Sequence, residues 1–464
     1  MTSRRRTSIL LACLVMGLFG MLRSVSADER PNIIFIMDDD MGWADAGCYG
    51  SKEIKTPNID ALAAHGMRFT DAYSGCTVCA PARSTLMTGY HMGHTSVRGN
   101  SGGIPLRDDD ITVAEVLKRA GYVTGGFGKW GLGEIDTEGA AEKQGFDEFF
   151  GYYHQIHAHN FFPSYLIKNG KHFPLPNNAD LNDVKPKGPT VSPERQFSAH
   201  LIFDEMKQFI RANKDQHFFC YAPWTPPHAD YHIPEDEPAW QLYKDKPWPN
   251  PAKVHAAFIS MADRQLGETV TLLKELGIDK KTIVFFCSDN GASHRFDGIL
   301  DSSGALTGFK RSMNEGGIRV PFIASWPGKI APGSVSHLPI YFPDFLPTAA
   351  QLADATEYLP KDIDGISIVP TLLGKPQDQT ERECLYWEWD RGGQAVRRGK
   401  WKLLRHKPNK PWELYNLDDD LSEKNDLSKK HPEVLKRLVA VANASHVDAR
   451  PQIEPKKPEG KRYR

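Results

Sequence analysis

The stretch "PNIIFIMDDD", residues 31–40, decides the architecture. Ile33 to Met37 form an unbroken apolar run of strand length, rich in β-branched residues, with no polar alternation. Such a run reads as a strand buried on both faces, the signature of a parallel sheet covered by helices. "TIVFFC" (282–287) reads the same way, and "HFFCYAP" (217–223) and "YVTGGFG" (122–128) are companion strands. Between them lie helical patterns, "ITVAEVLKRAG" (111–121) and "VHAAFISMADRQLGETVTLLKELG" (254–277), the latter closed by Gly277. Strands alternating with helices predict an α/β domain with a large, mostly parallel mixed sheet flanked by helices.

Beyond about residue 372 the pattern changes. "CLYWEWD", "QAVRRGKWKLLRH" and "WELYNL" read as short antiparallel strands, followed by a helix near 431–444. The expected organisation is a catalytic α/β domain over 28–371, a smaller α+β domain over 372–450 built on a short antiparallel sheet, and a polar tail over 451–464.

The first 27 residues are a separate matter. Arg4, Arg5 and Arg6 precede an apolar run from Ile9 to Leu22, and small residues follow to Ala27. That order is that of a secretory signal. The run is about 14 residues, short of the roughly 20 a membrane-spanning helix needs, so export without stable membrane insertion is expected, to a periplasm or the medium. Removing residues 1–27 takes away four arginines and no acids.

The whole chain has a formal net charge of −1, which gives no electrostatic basis for binding nucleic acid. Six cysteines remain after Cys13, too thinly spread over a chain of this size for a disulfide scaffold. Cys76 and Cys79 have the C-x2-C spacing of a zinc site, but no second Cys or His pair follows at the required distance. Cys76 reads as a small core residue.

The acids fall where an α/β sheet binds its ligands. The strand at 31–37 runs into Asp38, Asp39 and Asp40, and the strand at 282–287 runs into "SDNG", with Asp289 and Asn290. Ligands of open α/β sheets sit beyond the carboxyl ends of the strands. Read singly, "SDNG" is a turn and "DDD" a solvated loop. Read together they form an oxygen set suited to a hard divalent ion, Ca²⁺ or Mg²⁺, rather than to zinc. Lys129, His228 and Lys310 occupy similar positions after strands or loops, and cations beside a metal imply an anionic substrate with several oxygens.

At this point the residues resemble the sulfatase family. "CAPAR" (79–83) with "STLMTG" matches its C-x-P-x-R signature, and "GYVTGGFGKWGLG", "SDNGASH", "FKRSMNEGGIRVPFIASWPG" and "WELYNLDDDLSEKNDL" match further blocks in order. The resemblance implies an alkaline-phosphatase-like fold and a sulfuric ester hydrolase. It implies that Cys79 is oxidised after translation to Cα-formylglycine by a maturation enzyme that reads Pro81 and Arg83. The hydrated aldehyde would attack the sulfur of a sulfate ester through a covalent sulfo-enzyme intermediate, and its second hydroxyl would then expel sulfate. Asp39, Asp40, Asp289, Asn290 and residue 79 would hold Ca²⁺, with Mg²⁺ the second choice. Asp39 and Asp40 are preferred to Asp38 because the family's pair directly precedes the step here written Met41-Gly42. Arg83 would orient the nucleophile, Lys129 and Lys310 would bind sulfate oxygens, and His228 would contact the sulfate or protonate the leaving oxygen. A helix starting near Ala82 would aim its positive end at the anion.

One departure stands out. Many members read "GKWHLG", with a histidine that helps deprotonate the nucleophile, where this chain has Gly131 in "GKWGLG". His154, His157 and His159 in "GYYHQIHAHNFFP" are the nearby candidates to fill that place or to line the substrate pocket. The expected substrates are sulfated carbohydrates, also aryl sulfates. Two rival readings remain at this stage: a phosphomonoester or phosphonate hydrolase of the same superfamily, and an unmatured protein that binds sulfated glycans without turnover.

Overall fold

The computed structural model describes residues 29–181, 188–228, 230–389, 392–451 and 453. The signal expected over 1–27 and most of the polar tail lie outside the described residues.

Ten strands form one sheet. Its centre is five mutually parallel strands in the spatial order Thr282–Ser288, Asn32–Asp39, Phe218–Pro227, Val123–Lys129 and Glu148–Tyr152. Outside Thr282–Ser288 come Phe322–Ser325 and Met67–Phe69, both antiparallel to their inner neighbour, and then Ser334–Ser336. A hairpin of Tyr165–Lys168 and Lys171–Pro174 closes the other side. The sheet is therefore mixed and parallel where it matters, as the sequence predicts.

The central strand shows why its sequence carries no alternation. Ile33, Phe35 and Met37 pack into one hydrophobic cluster, and Ile34 and Ile36 into another on the opposite face. All five are 0% exposed. Burying each such side chain contributes about 1.5–3 kcal/mol, so both faces of the strand must be covered by helices. Asn250–Glu275 covers one face, with Phe258, Ile259 and Met261 fully buried. Its end is formed as expected: Gly277 has φ +68° and its N–H donates to the Lys274 carbonyl. Val113–Arg119 covers the other face behind a capping box of Thr112 and Glu115.

Strand register builds the site. Asn32 to Asp38 pair one for one with Thr282 to Ser288, so Asp39 and Asp40 emerge beside Asp289 and Asn290. On the other flank Asp39 pairs with Pro227, which sets His228 one residue further on. Lys129 ends the next strand over.

Four short antiparallel strands, Leu385–Glu388, Gln394–Arg398, Trp401–Arg405 and Glu413–Asn416, form the separate C-terminal sheet. Trp387, Ala395, Leu404 and Tyr415 on one face pack on Tyr73, Ile318 and Tyr341. Tyr386, Val396, Leu403 and Leu414 on the other receive Leu438 and Ala442 of the Pro432–Ser445 helix. Among the described residues no helix is long and apolar enough to cross a membrane.

Candidate active site

The signature "CAPAR" is helical from its first residue. The helix runs Cys79–Thr88 behind Val78, whose φ of −150° is extended, so it begins at Cys79 and not near Ala82. The physical reason is Pro81: in the first turn its missing N–H forfeits no intrahelical bond, so the proline opens the helix and does not precede it. Residue 79 thus stands at the positive end of the helix, and every residue of the helix is buried. The Ala80 N–H, one of the unpaired donors of that first turn, is taken by Asn100 Oδ1 at 3.0 Å.

Around Cys79 the predicted ligands converge. Ligand atoms of Asp39, Asp40, Cys79 and Asp289 all lie within 4.8 Å of one another, and all four residues are buried. Cys79 Sγ is 3.3 Å from Asp39 Oδ1 and 3.2 Å from Lys310 Nζ. Asp39 Oδ2 receives Lys129 Nζ at 2.5 Å, and Arg83 Nη2 stands 3.5 Å from it. Arg83 also donates to Asp289 Oδ2 at 2.8 Å and to the Lys129 carbonyl at 2.7 Å. Asp40, at φ +68°, turns its Oδ1 to Lys310 Nζ at 2.5 Å and to Asn290 Nδ2 at 2.7 Å. His228 lies over both acids, Nε2 3.4 Å from Asp40 Oδ2 and Nδ1 3.7 Å from Asp39 Oδ2, and is the more exposed member of the group at 20%.

Burial and charge set the protonation states. Burial alone would raise Asp39, but Lys129, Arg83 and Lys310 outweigh it and hold the carboxylate well below the usual range. Asp289 is pushed up to about 6 by burial and by Asp39, against the pull of Arg83 and Lys129. Asp38 is different: 0% exposed, with neither oxygen hydrogen-bonded among the described residues, it is pushed well above its ordinary value by burial and by Asp263, Asp289 and Asp39. No cation is among the groups that shift it. His228 is held neutral by burial and by Lys310. The Cys79 thiol is pushed up to about 12 by burial, Asp289 and Asp39.

The donor set fits a hard divalent cation. Asn290 Oδ1 is buried without a hydrogen-bond partner among the described residues, beside three carboxylates that converge. Asp39, Asp40 and Asp289 stand against Lys129, Lys310 and Arg83, three acids facing three bases. A dication would tip this balance to the positive field an anionic ester needs.

The three loop histidines are separated by the structure. A 3₁₀ turn, His157–His159, directs them apart, because two residues at three per turn point to different faces. His157 packs on Tyr165 and Tyr152, with ring centroids 4.5 and 5.1 Å away. His159 meets His228 edge-on at 4.4 Å, and burial, His228 and Lys129 push it down to about 2. His154 is pushed down to about 4 by burial and by Lys129. The side chain that faces Gly131 belongs to none of them. It is Gln155, whose Cβ and Oε1 both stand 3.8 Å from where a Cβ at 131 would lie. Sequence reading passed over Gln155, Asn100 and Ser74, whose hydroxyl donates to the Asp289 carbonyl at 2.5 Å. No spacing or periodicity marks these loop residues.

Comparison with known proteins places this geometry in context. The Sulfatase family profile matches residues 31–355, and the profile described as N-sulphoglucosamine sulphohydrolase, C-terminal, matches 308–444. Arylsulfatase A of Homo sapiens is 35% identical over 409 residues, which cover 83% of this chain and 76% of that protein. The N-acetylgalactosamine-6-O-sulfatase of Bacteroides thetaiotaomicron is 29% identical, over 88% of this chain and 92% of that one. The crystal structure of Ps i-CgsB in complex with k-i-k-neocarrahexaose superposes with a TM-score of 0.74 at 29% identity, covering 89% of this chain and 92% of the other.

Proposed function

The chain belongs to the sulfatase family and is a sulfuric ester hydrolase, and from that premise we propose an exported, calcium-dependent enzyme that releases sulfate from sulfated carbohydrates and aryl sulfates. The observation that carries this reading is the convergence of Asp39, Asp40, Asp289 and Cys79 within one buried cluster ringed by Lys129, Lys310 and Arg83. The substrate class is supported by relatives named for N-acetylgalactosamine 6-sulfate and aryl sulfate, and by a neighbour solved with k-i-k-neocarrahexaose. Export follows from the arginine-led apolar segment at 1–27.

Asp39, Asp40, Asp289 and Asn290, with residue 79, would hold the Ca²⁺. When bound, the ion supplies charge that stabilises a deprotonated oxygen nucleophile and the sulfate oxygens. Cys79 is read as the precursor of formylglycine, made by a maturation enzyme. The hydrated aldehyde supplies two hydroxyls on one carbon, one to attack sulfur and one to let sulfate leave. Around that group the chain's own residues divide the work. Arg83 is anchored on Asp289 and the Lys129 carbonyl and holds the helix face that carries residue 79. Lys129 and Lys310 are ion-paired with Asp39 and Asp40, and with a cation held by those carboxylates their ammonium groups would serve to bind sulfate oxygens. His228, neutral and partly open to solvent, offers a ring nitrogen at the mouth, where the leaving oxygen emerges.

The test is a panel on purified protein whose 79–83 peptide carries the aldehyde: a chromogenic aryl sulfate, the matched aryl phosphate, and sulfated mono- and oligosaccharides. Sulfate release that exceeds phosphate release and ceases on chelation is expected. Faster phosphate release, or no turnover of any sulfate ester by the aldehyde form, would overturn the reading.

A further inference from the structure

Gly131 follows Trp130 and Lys129 directly and sits at φ +77°. The space a side chain there would enter is bounded by Arg83 Cδ on one side and Gln155 on the other, each 3.8 Å away. What lines that space is polar. Gln155 is 4% exposed, and its Nε2 donates to the Asn100 carbonyl at 2.8 Å. That bond fixes the amide's orientation, so the atom turned toward Gly131 is the acceptor, Oε1. Among the described residues Oε1 has no hydrogen-bond partner. Arg83 Nε, a donor next to the Cδ that faces Gly131, is buried without a partner among the described residues as well.

A buried acceptor and a buried donor left unpaired beside Gly131 would cost about 1–3 kcal/mol each. A single water makes 2–4 hydrogen bonds and is the ordinary remedy when such groups surround a small polar space. A donor opposite an acceptor suits a water, which does both, better than an ion.

We propose that Gln155 is a positioning residue of the reaction: with Arg83 Nε–H it binds one buried water beside Gly131, and so fixes the helix face that presents residue 79. Two arms of one strut meet there. Through Asn100, whose Oδ1 takes the Ala80 N–H at 3.0 Å, Gln155 holds the residue after 79. Through the water it holds Arg83, one helical turn further on, whose remaining N–H groups already grip Asp289 and the Lys129 carbonyl. The place left by the absent side chain at 131 is thus taken by solvent under protein control, and no histidine is needed for the positioning. The inference rests on the sulfatase reading of the centre.

The test pairs a high-resolution crystal structure with the variant Gln155→Met, which keeps the side chain's volume and removes its amide. The wild-type map should show one water within hydrogen-bond distance of both Gln155 Oε1 and Arg83 Nε. Gln155→Met should lose that water and lower kcat on an aryl sulfate by about 10–100-fold, the range for outer-shell partners of a catalytic site. KM and the aldehyde content of the 79–83 peptide should be unchanged, and Gln155→Asn, which keeps an amide, should recover part of kcat. A wild-type map without the water, or Gln155→Met turning over at the wild-type rate, overturns the proposal. Should Gln155→Met misfold, the wild-type map alone decides. A wild type that hydrolyses no sulfate ester refutes the sulfatase reading instead, and leaves the water to be judged from the map.

Discussion

Cys79 Sγ lies 3.3 Å from Asp39 Oδ1, a thiol set against a carboxylate that opposes its ionisation. Burial, Asp289 and Asp39 together push the thiol up to about 12, more than Lys129 and Lys310 can offset. At neutral pH roughly one molecule in 10⁵ would carry a thiolate, so cysteine itself is a poor nucleophile in this position. The expected outcome is that active protein carries an aldehyde in the 79–83 peptide by mass spectrometry. Cys79→Ala should lose at least about 10³-fold in turnover while unfolding at the wild-type temperature, since only the nucleophile is gone. Full activity from protein whose Cys79 remains an alkylatable thiol would contradict this.

Asp38 and Asp39 are neighbours with opposite electrostatics, and this separates ligand from wall. Burial, Asp263, Asp289 and Asp39 all raise Asp38, whereas Lys129 and its companions hold Asp39 ionised. Asp38→Asn keeps the side chain's shape and removes only its acidity. It should keep the thermal stabilisation by added Ca²⁺, about 2.7 kcal/mol at a hundred times Kd. Asp39→Asn should lose both that shift and turnover. Removing the ion with a chelator should erase the shift in wild type and in Asp38→Asn alike. Equal calcium response in the Asp38 and Asp39 variants would remove Asp39 from the ligand set.

Much of this arrangement was legible in the sequence, and the reasons are particular. Ile33 to Met37 betray a two-faced strand because every one of them must be apolar, and the acids after it mark the binding end of the sheet. Register does the rest: once Asp38 pairs with Ser288, Asp39 and Asp289 are brought together without further instruction. The helix start was misplaced by three residues because a proline in a first turn looks, in sequence, like a residue before the helix. His154, His157 and His159 could not be told apart because the turn that points His159 at His228 and His157 at Tyr165 has no periodic signature. Gln155 and Asn100 act through single hydrogen bonds between loops 55 residues apart, and neither composition nor spacing reports such a contact.

Behind the site, Lys402 Nζ is shared by Glu315 Oε1 at 2.7 Å and Glu423 Oε1 at 2.8 Å, all three side chains 0% exposed. Burial alone would raise Glu315, but Lys402 and Arg319 hold it down; Glu423 remains raised by its burial. This pair fastens the C-terminal sheet to the short helix Glu315–Ile318 that follows Lys310. Lys402→Met should cost about 3–5 kcal/mol, because one buried carboxylate loses its counter-charge. The deficit should shrink in acid, where Glu423 can take a proton, and chemical denaturation at pH 7 and pH 5 reads both effects. An unchanged midpoint would show that the lysine is dispensable to the join.

His91 carries a pH dependence whose sign its surroundings fix. Its Nδ1 accepts the Gly93 N–H at 3.1 Å, so Nε2 bears the ring proton and faces Asp364 Oδ1 at 3.4 Å. The ring stacks on His94 at 4.2 Å and is 7% exposed. Burial pushes His91 down to about 4, more than Asp364 raises it. The unfolded chain, with an ordinary value of 6.5, therefore binds more protons than the folded one between pH 6.5 and 4, and stability must fall as pH drops through that window. The loss attributable to this ring approaches about 3 kcal/mol at the acid end. His94 works in the opposite direction, raised by its hydrogen bond to Asp364, but it is partly exposed and solvent screens its effect. His91→Gln should therefore flatten the acid limb, narrowing the difference in denaturation midpoint between pH 7 and pH 4.5 relative to wild type. Parallel limbs for the two proteins would mean that His91 is protonated in the folded state as readily as in the unfolded one, which its burial and the Gly93 bond oppose.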